Sequence, residues 1–435
     1  MPAESSTLER QGAHTVVATG VSVGLGLLLS IIAARTLGPG GKGVLDLTSA
    51  TAGLFTLGLG LSLNASITQL VARRKITPKG LAGQLALWGT GAGLITILAL
   101  HWHPEIAARS GLLPADDQLF WTVFVGLTVA FGIWAAGLRG ILVGRHALVT
   151  SNRIDVLIKT ALLAAYVTLT LTVPAEPKYY ALVGVAGAVV LPIVFLFVLR
   201  GPTSAAEGIW PTLFFTALPV HGTNVLHFFN QRADLFFVQA FHGTTEVALY
   251  ALAVSLAQFV LLLSSALAQP LLAQVSAAKT AEAGAALTAR ACRLFIVLGL
   301  TSSTGLAIGC HWIVPLIFGR NFSDSLPALL VLLPGMIAFG LTNIIISHFV
   351  GQDRGRINLW ISLGALVVTV AGNFWLTRIY GALGAAITST AAYGVGGTLS
   401  VVFFFRHAGG SAQKSLWPAA GDWRAAFALV ARFRP

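Results

Sequence analysis

Residues 16–34, VVATGVSVGLGLLLSIIAA, run without a single charged side chain. A helix crosses the hydrocarbon core of a bilayer in about 20 apolar residues, and a stretch of about 18 indicates a spanning helix. Similar uncharged stretches recur at 47–72, 294–318 and 357–377, in a chain that is 56% hydrophobic and only 10% charged. The sequence therefore predicts an all-α polytopic membrane protein. It excludes a β-barrel, whose strands would alternate in hydrophobicity over about ten residues.

The apolar segments predict about twelve transmembrane helices in two pseudo-symmetric lobes of six. The first set covers 14–36, 43–72, 80–101, 117–143, 152–174 and 178–200, and the second covers 210–241, 245–275, 288–318, 325–350, 356–377 and 380–406. The predicted organisation is an N-terminal cytoplasmic segment at 1–13, an N-lobe at 14–200, an inter-lobe linker at 201–209, a C-lobe at 210–407 and a cytoplasmic tail at 408–435.

The distribution of cations predicts the orientation. With both termini in the cytoplasm, nineteen Lys and Arg lie in cytoplasmic segments and six at the outer ends, and the cytoplasmic side of a membrane protein normally carries this excess. Attraction to the anionic inner leaflet accounts for the net charge of +12 without nucleic acid. In the tail, Trp423, Phe427 and Val430 recur at helical spacing, which predicts an amphipathic helix on that leaflet.

The stretch AARTLGPGGKGVLDL, residues 33–47, connects the first two spans. A nucleotide-binding P-loop would need glycine at Thr36 and Ser or Thr at Gly43, so this interpretation is rejected. Gly38 and the glycines after it instead predict a tight outer hairpin, with Lys42 close to water. Asp46 lies one turn from Lys42 and is expected to pair with it or with Arg35.

The chain carries a weak internal repeat. The segment from Gly38 matches the one from Gly243, Leu142-Val143-Gly144 with Asn152 matches Phe349-Val350-Gly351 with Asn358, and Tyr180 to Gly184 matches Tyr380 to Gly384. Six helices separate the copies, so both would enter the membrane in the same direction. Parallel repeats of this kind are typical of transporters.

A family resemblance rests on motifs spread over residues 12–407. ARTLGPGGKGVLDL at 34–47, RADLFF at 232–237, Gly243 to Val247 with YALA at 250–253, IFG at 317–319 and Gly351-Gln352 follow one another in this order. Together with the twelve-span layout they resemble the polysaccharide-flippase branch of the multidrug/oligosaccharidyl-lipid/polysaccharide exporter superfamily. The resemblance implies two six-helix lobes around a cavity that alternately faces the two sides. It also implies export of polyprenyl-pyrophosphate-linked sugars across the bacterial inner membrane.

Polar residues within the spans are the candidate binding residues, because ionisable groups there are costly and usually face a cavity or a partner. In the seventh span, His221, Asn224, His227, Gln231 and Asp234 share one helical face. Such a stripe is expected to face water or substrate, and hydrogen bonding between helices is the alternative. The two histidines are expected to be neutral hydrogen-bonding groups, and no metal site is predicted.

The cations within the spans suit an anionic substrate. Arg232 is expected to hold a pyrophosphate, with snorkelling or an ion pair to another helix as the alternative. Asp155 and Lys159 stand four residues apart, so an ion pair between them is the default and Lys159 as a substrate ligand is the sharper hypothesis. Arg35 and Asp46 are further candidates at the outer mouth of the cavity, and Gln258 belongs to a weaker polar stripe in the eighth span.

Three classes of function compete. A lipid-linked oligosaccharide flippase is favoured over a cation-coupled multidrug exporter, because the first span has no acidic residue. A membrane-embedded sugar polymerase or ligase is disfavoured because no nucleophile–base constellation appears, so no enzyme activity is expected. The expected partners are a lipid-linked glycan, membrane lipids, a polysaccharide polymerase and glycosyltransferases, and neither a cofactor nor nucleic acid is expected. The chain is expected to act as a monomer.

Overall fold

A computed structural model describes residues 2–73, 78–102, 104–145, 147–199, 208–278 and 280–408, together with positions 416, 418, 421 and 423. These residues form helices and connecting turns, and no strand occurs among them. The predicted linker at 201–209 lies outside the described residues apart from its last two positions. The predicted tail helix at 408–435 also lies outside them, apart from its first residue and four isolated positions.

The chain divides into two compact units. Unit 1 comprises Met1–Val225 with Gly243–Thr245, and unit 2 comprises Leu226–His242 with Glu246–Pro435. The division falls inside one continuous helix, α8 (Trp210–His242). The predicted boundary at the linker is not tested by this contact-based division and stays a prediction.

Unit 1 is a helical bundle built around α5, which packs against α1, α2, α3, α6 and α7. A long apolar helix is placed at the centre because it can bury side chains on every face. The helices of this unit before α8 are α1 (Pro2–Gly60), α2 (Leu63–Ala72), α3 (Pro78–Trp102), α4 (Pro104–Arg109), α5 (Gln118–Gly144), α6 (Leu148–Thr172) and α7 (Pro177–Val198).

Unit 2 has the same plan around α12, which packs against α10, α11 and α14. Its helices after α8 are α9 (Thr244–Ala257), α10 (Phe259–Ser276), α11 (Ala281–Ile317), α12 (Leu326–Gly351), α13 (Arg356–Gly372) and α14 (Arg378–Ala408). A 3-10 turn, Arg320–Ser325, precedes α12, and a π-helical turn, Asn373–Thr377, joins α13 to α14.

Nine helical segments of the described chain are long and apolar enough to cross a membrane. Two of them, Ala18–Gly60 and Arg356–His407, each overlap two predicted spans, so together the segments overlap every predicted span except the seventh. That span is α8, whose histidines, asparagines, glutamine and charged residues lower its hydropathy. The prediction of an all-α polytopic membrane protein is confirmed.

The first two spans are joined by a single residue instead of a hairpin loop. Gly38 has φ 65° and ψ −175°, a combination that essentially only glycine adopts, and it breaks α1. Helical structure resumes at Pro39, where a fixed φ and a missing N–H suit the first turn of a helix. Lys42 therefore lies on the helix and not in a loop. Its side chain is 4% exposed and paired with Asp46, so the expectation that Lys42 lies close to water was wrong.

Two of the three repeat matches have the same local structure in both copies. Gly38 and Gly243 both have positive φ and both separate helices. Gly144 and Gly351 end the two central helices, and the asparagines that follow, Asn152 and Asn358, are both buried near the start of the next helix. The third match differs, since Tyr180 is buried and Tyr380 is exposed. The repeat is therefore a structural one for the first two matches.

Candidate functional site

Unit 1 contains a cavity of about 490 Å³ lined mainly by small and neutral polar residues, here called the neutral cavity. Its walls come from α1, α2, α3, α5 and α8. The polar lining residues are Ser49, Thr56, Ser62, Asn64, Thr128 and Asn224. Hydroxyl and amide groups of this kind exchange hydrogen bonds with neutral polar ligands, and ligand sites commonly have volumes of about 300–1,000 Å³.

A break in the second span forms one edge of the neutral cavity. Leu61 and Ser62 both have positive φ, at 49° and 52°, and they separate α1 from α2. The Ser62 hydroxyl accepts a hydrogen bond from Asn224 Nδ2 at 3.0 Å and lies 3.4 Å from His221 Nδ1. Two adjacent non-glycine residues in the left-handed region are uncommon, and such conformations concentrate at functional sites. Asn224 thus lines this cavity, and its role as a substrate ligand stays a prediction.

A second cavity of unit 1, of about 250 Å³, contains charged groups and is here called the charged cavity. Arg139 Nη1 lies 2.8 Å from Asp155 Oδ2. Lys159 Nζ donates to Ser22 Oγ at 2.7 Å and to the Ser22 carbonyl oxygen at 3.1 Å. The default expectation of an Asp155–Lys159 pair was wrong, because each side chain reaches across to a neighbouring helix instead of along its own.

Asn152 holds an unused donor beside the charged cavity. The residue is 9% exposed, and its Nδ2 is buried without a hydrogen-bond partner among the described residues. A buried donor without a partner costs about 1–3 kcal/mol, so an acceptor brought to this position would relieve that cost. The cavity therefore offers two cations and one carboxylate, and the amide nitrogen of Asn152 is buried behind its lining.

Asp46 and Arg35, the two candidate binding residues predicted at the outer mouth of the cavity, have different surroundings. Asp46 is paired with the buried Lys42, which is the first of the two pairings expected for it. Arg35 lies three residues before the break at Gly38 and is exposed. The structure does not place Arg35 at either cavity of unit 1 described above.

The polar stripe of α8 does not act as one surface. In unit 2, His227 Nε2 and Gln231 Nε2 lie 2.8 Å apart, and the His227 ring stacks on Phe339. Asp234 is 2% exposed and accepts hydrogen bonds from Tyr250, from Ser389 at 3.2 Å and from the Leu235 amide at 2.8 Å. The expectation of a stripe facing water was wrong at Asp234, where the interhelical alternative holds.

The two remaining candidates of unit 2 are Arg232 and Gln258. The Arg232 side chain is exposed and forms no ion pair with any residue that the structure describes. Gln258 is half-buried and lies at the junction between α9 and α10, where the predicted eighth span is divided. Within the described part of the chain, no three His, Cys, Asp or Glu side chains form a group that could hold a metal ion.

The sequence does not single out most of the residues that line these cavities, and Ser22, Ser62, Arg139 and Asn152 are the ones whose contacts are described above. Arg139 is one of the nineteen cations that the charge bias places in cytoplasmic segments, although it lies inside α5. Its position five residues before the end of an apolar segment was a signal, because an arginine that deep needs a partner. Asn152 was noticed only as part of the repeat, and nothing in the sequence marked Ser22 or Ser62.

The fold and the cavities define the class of this protein. It is an all-α membrane protein with polar cavities inside a helical bundle, which is an arrangement found in transporters. The sequence matches the family described as polysaccharide biosynthesis protein over residues 9–276, more than half of the chain, and the chain belongs to this family.

Solved structures of transporters share the fold. The chain is similar to the lipid II flippase MurJ in an inward closed conformation, with a TM-score of 0.75, 12% identity and coverage of 97% of this chain and 93% of that one. It is similar to an inward-facing multidrug resistance MATE family transporter of the MOP superfamily, with a TM-score of 0.74, 14% identity and coverage of 92% and 99%. A MOP superfamily transporter from Pyrococcus furiosus, described as having a binding pocket of reversed polarity, has a TM-score of 0.58, 13% identity and coverage of 90% and 94%. No curated protein sequence matches the chain.

Proposed function

We propose that this protein is a flippase that moves polyprenyl-pyrophosphate-linked oligosaccharide across the bacterial inner membrane by alternating access, for the synthesis of surface polysaccharide. The observation that carries the proposal is the charged cavity of unit 1, in a chain of the polysaccharide biosynthesis protein family. The flippase MurJ, which shares the fold, is named for a lipid-linked substrate, lipid II.

The charges of the cavity favour an anion. Arg139 and Lys159 together outnumber the single carboxylate of Asp155, so the cavity keeps an excess positive charge. Unpaired charge inside a membrane protein is costly, and a pyrophosphate that enters the cavity would neutralise it. The guanidinium can present two parallel N–H donors to phosphate oxygens. The hydroxyls and amides of the neutral cavity suit the glycan.

The same contacts disfavour a cation-coupled multidrug exporter. An exporter of that kind is expected to carry an acid in its first helix, and residues 16–34 have none. In this chain Ser22 of that helix instead receives the ammonium group of Lys159. The similarity to MATE transporters concerns the fold, and it does not indicate whether the transported molecule is a cation or an anion. Neither cavity contains a nucleophile–base constellation that would support a role as polymerase or ligase.

The test compares Lys159→Met with Lys178→Met at matched expression. Lys178 is a suitable control because it pairs with Asp117 at 2.5 Å and does not line the charged cavity. Loss of one charge-assisted contact costs about 1.5–3 kcal/mol, or roughly 10- to 150-fold in affinity. Cells with Lys159→Met should therefore accumulate inward-facing lipid-linked oligosaccharide, whereas Lys178→Met should export like the wild type. Wild-type export by Lys159→Met, or energy-dependent efflux of cationic drugs by the wild type without glycan export, would overturn the proposal.

A further inference from the structure

Unit 1 has a third cavity, an apolar groove of about 470 Å³ between the end of α1, α3 and the start of α8. Leu59, Trp88 and Trp210 form its inner wall, and Leu87 and Ile95 form its rim, with exposed fractions of 76% and 54%. Gln84 is the polar lining residue, and its Oε1 is buried without a hydrogen-bond partner among the described residues. Because α3 is long and apolar enough to cross a membrane, an open apolar groove on this helix can face lipid. The groove can therefore receive a hydrocarbon chain.

The two tryptophans of the inner wall also form an aromatic floor of the groove, and Phe214 packs against Trp88 without lining the groove itself. The Trp88 and Trp210 ring centroids are 5.5 Å apart, and the Trp88 and Phe214 centroids are 5.6 Å apart. Trp88 Nε1 donates to the Leu59 carbonyl oxygen at 2.9 Å. Tryptophans at membrane interfaces normally direct this N–H to water or headgroups. Since the N–H of Trp88 is already bonded to the backbone, its ring offers the groove a hydrocarbon face.

The groove is wide at Gly91. A side chain built on Gly91 would meet no atom within 4 Å, so the absence of a side chain leaves a gap beside the aromatic floor. Transfer of a chain from bulk lipid into such a groove gains no hydrophobic free energy, because the lipid is equally apolar. Binding must come from dispersion contacts and shape. A methyl-branched chain fills a wide groove with more contacts than a linear acyl chain does.

The groove adjoins the neutral cavity through the last turn of α1. Leu59 lines the groove, while Leu57 and Gly60 line the neutral cavity, so a single helical turn separates the two. A lipid whose pyrophosphate and glycan occupy the two polar cavities of unit 1 can place its chain in the groove without leaving unit 1. This continuity distinguishes the groove from an isolated furrow on a lipid-facing surface.

We infer that the groove binds the polyprenyl chain of the lipid-linked substrate. The inference rests on the proposed function, because that function supplies a polyprenyl lipid. It adds a recognition site for the lipid carrier that involves no charged residue and is separate from the charged cavity. On the predicted orientation, the groove extends from the cytoplasmic ends of α3 and α8 to about the middle of the membrane, and the substrate would be loaded from that side.

The experiment uses the full chain in proteoliposomes with a photoreactive polyprenyl phosphate, and labelled peptides are mapped by mass spectrometry. Gly91→Phe fills the groove, and Gly83→Phe is the matched control. Gly83 is exposed on the same helix, a side chain there also meets no atom within 4 Å, and it does not line the groove. The wild type and Gly83→Phe should be labelled within residues 84–95. Gly91→Phe should lose that labelling by about tenfold or more, the scale expected when about 1.4 kcal/mol of binding is removed.

Competition in the wild type keeps the test independent of any variant's folding. Unlabelled polyprenyl phosphate should displace the probe, and excess phospholipid should not. Two results would assign the groove to bulk lipid and overturn the inference. One is labelling of residues 84–95 that persists in folded Gly91→Phe. The other is equal labelling of residues 84–95 by a photoreactive phospholipid that polyprenyl phosphate does not displace. Glycan translocation in the same vesicles separates the two proposals. Translocation with an unlabelled groove removes only this inference, and absence of translocation by the wild type removes the flippase proposal.

Discussion

Asp234 lies at the centre of a buried hydrogen-bond network within unit 2. Its carboxylate accepts from the Tyr250 hydroxyl, the Ser389 hydroxyl and the Leu235 amide, which tie α8 to α9 and α14. A buried carboxylate inside a membrane protein is tolerated only when its oxygens are satisfied in this way. The network therefore has a structural role that is independent of any contact with substrate.

We predict that Asp234→Ala lowers the thermal stability of the purified protein. The substitution leaves buried donors without an acceptor, at about 1–3 kcal/mol each. Tyr250→Phe, which removes one donor, should cost less. Asp324→Ala is the control, because Asp324 is exposed. A thermal-unfolding series in detergent checks the order. Asp234→Ala with wild-type stability and no transport would instead place Asp234 in the transport path.

Arg232 stands two residues before Asp234 but points elsewhere, since residues at this spacing do not face each other on a helix. We predict that Arg232→Ala folds and reaches the membrane but fails to export lipid-linked glycan. Loss of a charge-assisted pyrophosphate contact costs about 2–3 kcal/mol, or roughly 30- to 150-fold in affinity. Arg232→Lys should restore export only partly, because an ammonium group lacks the planar fork.

The measurement for Arg232 is accumulation of inward-facing lipid-linked oligosaccharide in cells at matched expression. Arg378→Ala serves as the control, because Arg378 is an exposed arginine at the start of another helix of unit 2. Equal export by Arg232→Ala and Arg378→Ala would reduce Arg232 to a surface cation.

At the scale of elements, single glycines end or break helices where the chain turns. Gly38 divides α1, Gly243 separates α8 from α9, and Gly381, with φ 56° and ψ −132°, breaks α14. A residue with a Cβ atom is strained in each of these conformations. The same device at Gly38 and Gly243 gives the first match of the repeat a structural basis.

We predict that Gly38→Ala lowers stability by about 1–3 kcal/mol, which is the usual strain of a non-glycine residue in this backbone region. The strain comes from the backbone alone, because a Cβ at Gly38 would meet no atom within 4 Å. Gly40→Ala is the control. Gly40 has no positive φ, and a Cβ there would meet only the Thr245 hydroxyl, at 3.8 Å. Thermal unfolding of both variants checks the prediction, and equal stabilities would contradict it.

At the scale of the whole molecule, the sequence predicted what depends on local composition. Apolar length located the spans, because a bilayer demands about 20 apolar residues whatever the tertiary packing. The sequence did not predict the features that depend on packing between helices. The partner of Asp155 is Arg139 and not Lys159, and the break at Leu61-Ser62 contains neither Gly nor Pro. No local rule sets either feature, since the Asp155 pair joins two different helices and the break has no glycine or proline to mark it.

The side of the membrane on which each later loop lies depends on whether α8 crosses the membrane. Among the predicted spans, α8 is the one that is not apolar enough to be a candidate membrane span. The prediction places position 109 outside and position 355 in the cytoplasm, with seven predicted spans between them. Arg109→Cys is well exposed, since the Arg109 side chain is 85% exposed. Gly355→Cys is also exposed and would meet no atom within 4 Å.

We predict that a membrane-impermeant maleimide labels Arg109→Cys in intact cells and labels Gly355→Cys only after permeabilisation. The natural cysteines, Cys292 and Cys310, are both 0% exposed, so the wild type should give little background and serves as the control. The reverse pattern would place both termini outside and contradict the charge bias. Labelling of both positions from one side would mean that an even number of helices separates them. In that case α8 would not cross the membrane, and the twelve-span topology would be wrong even though the fold is right.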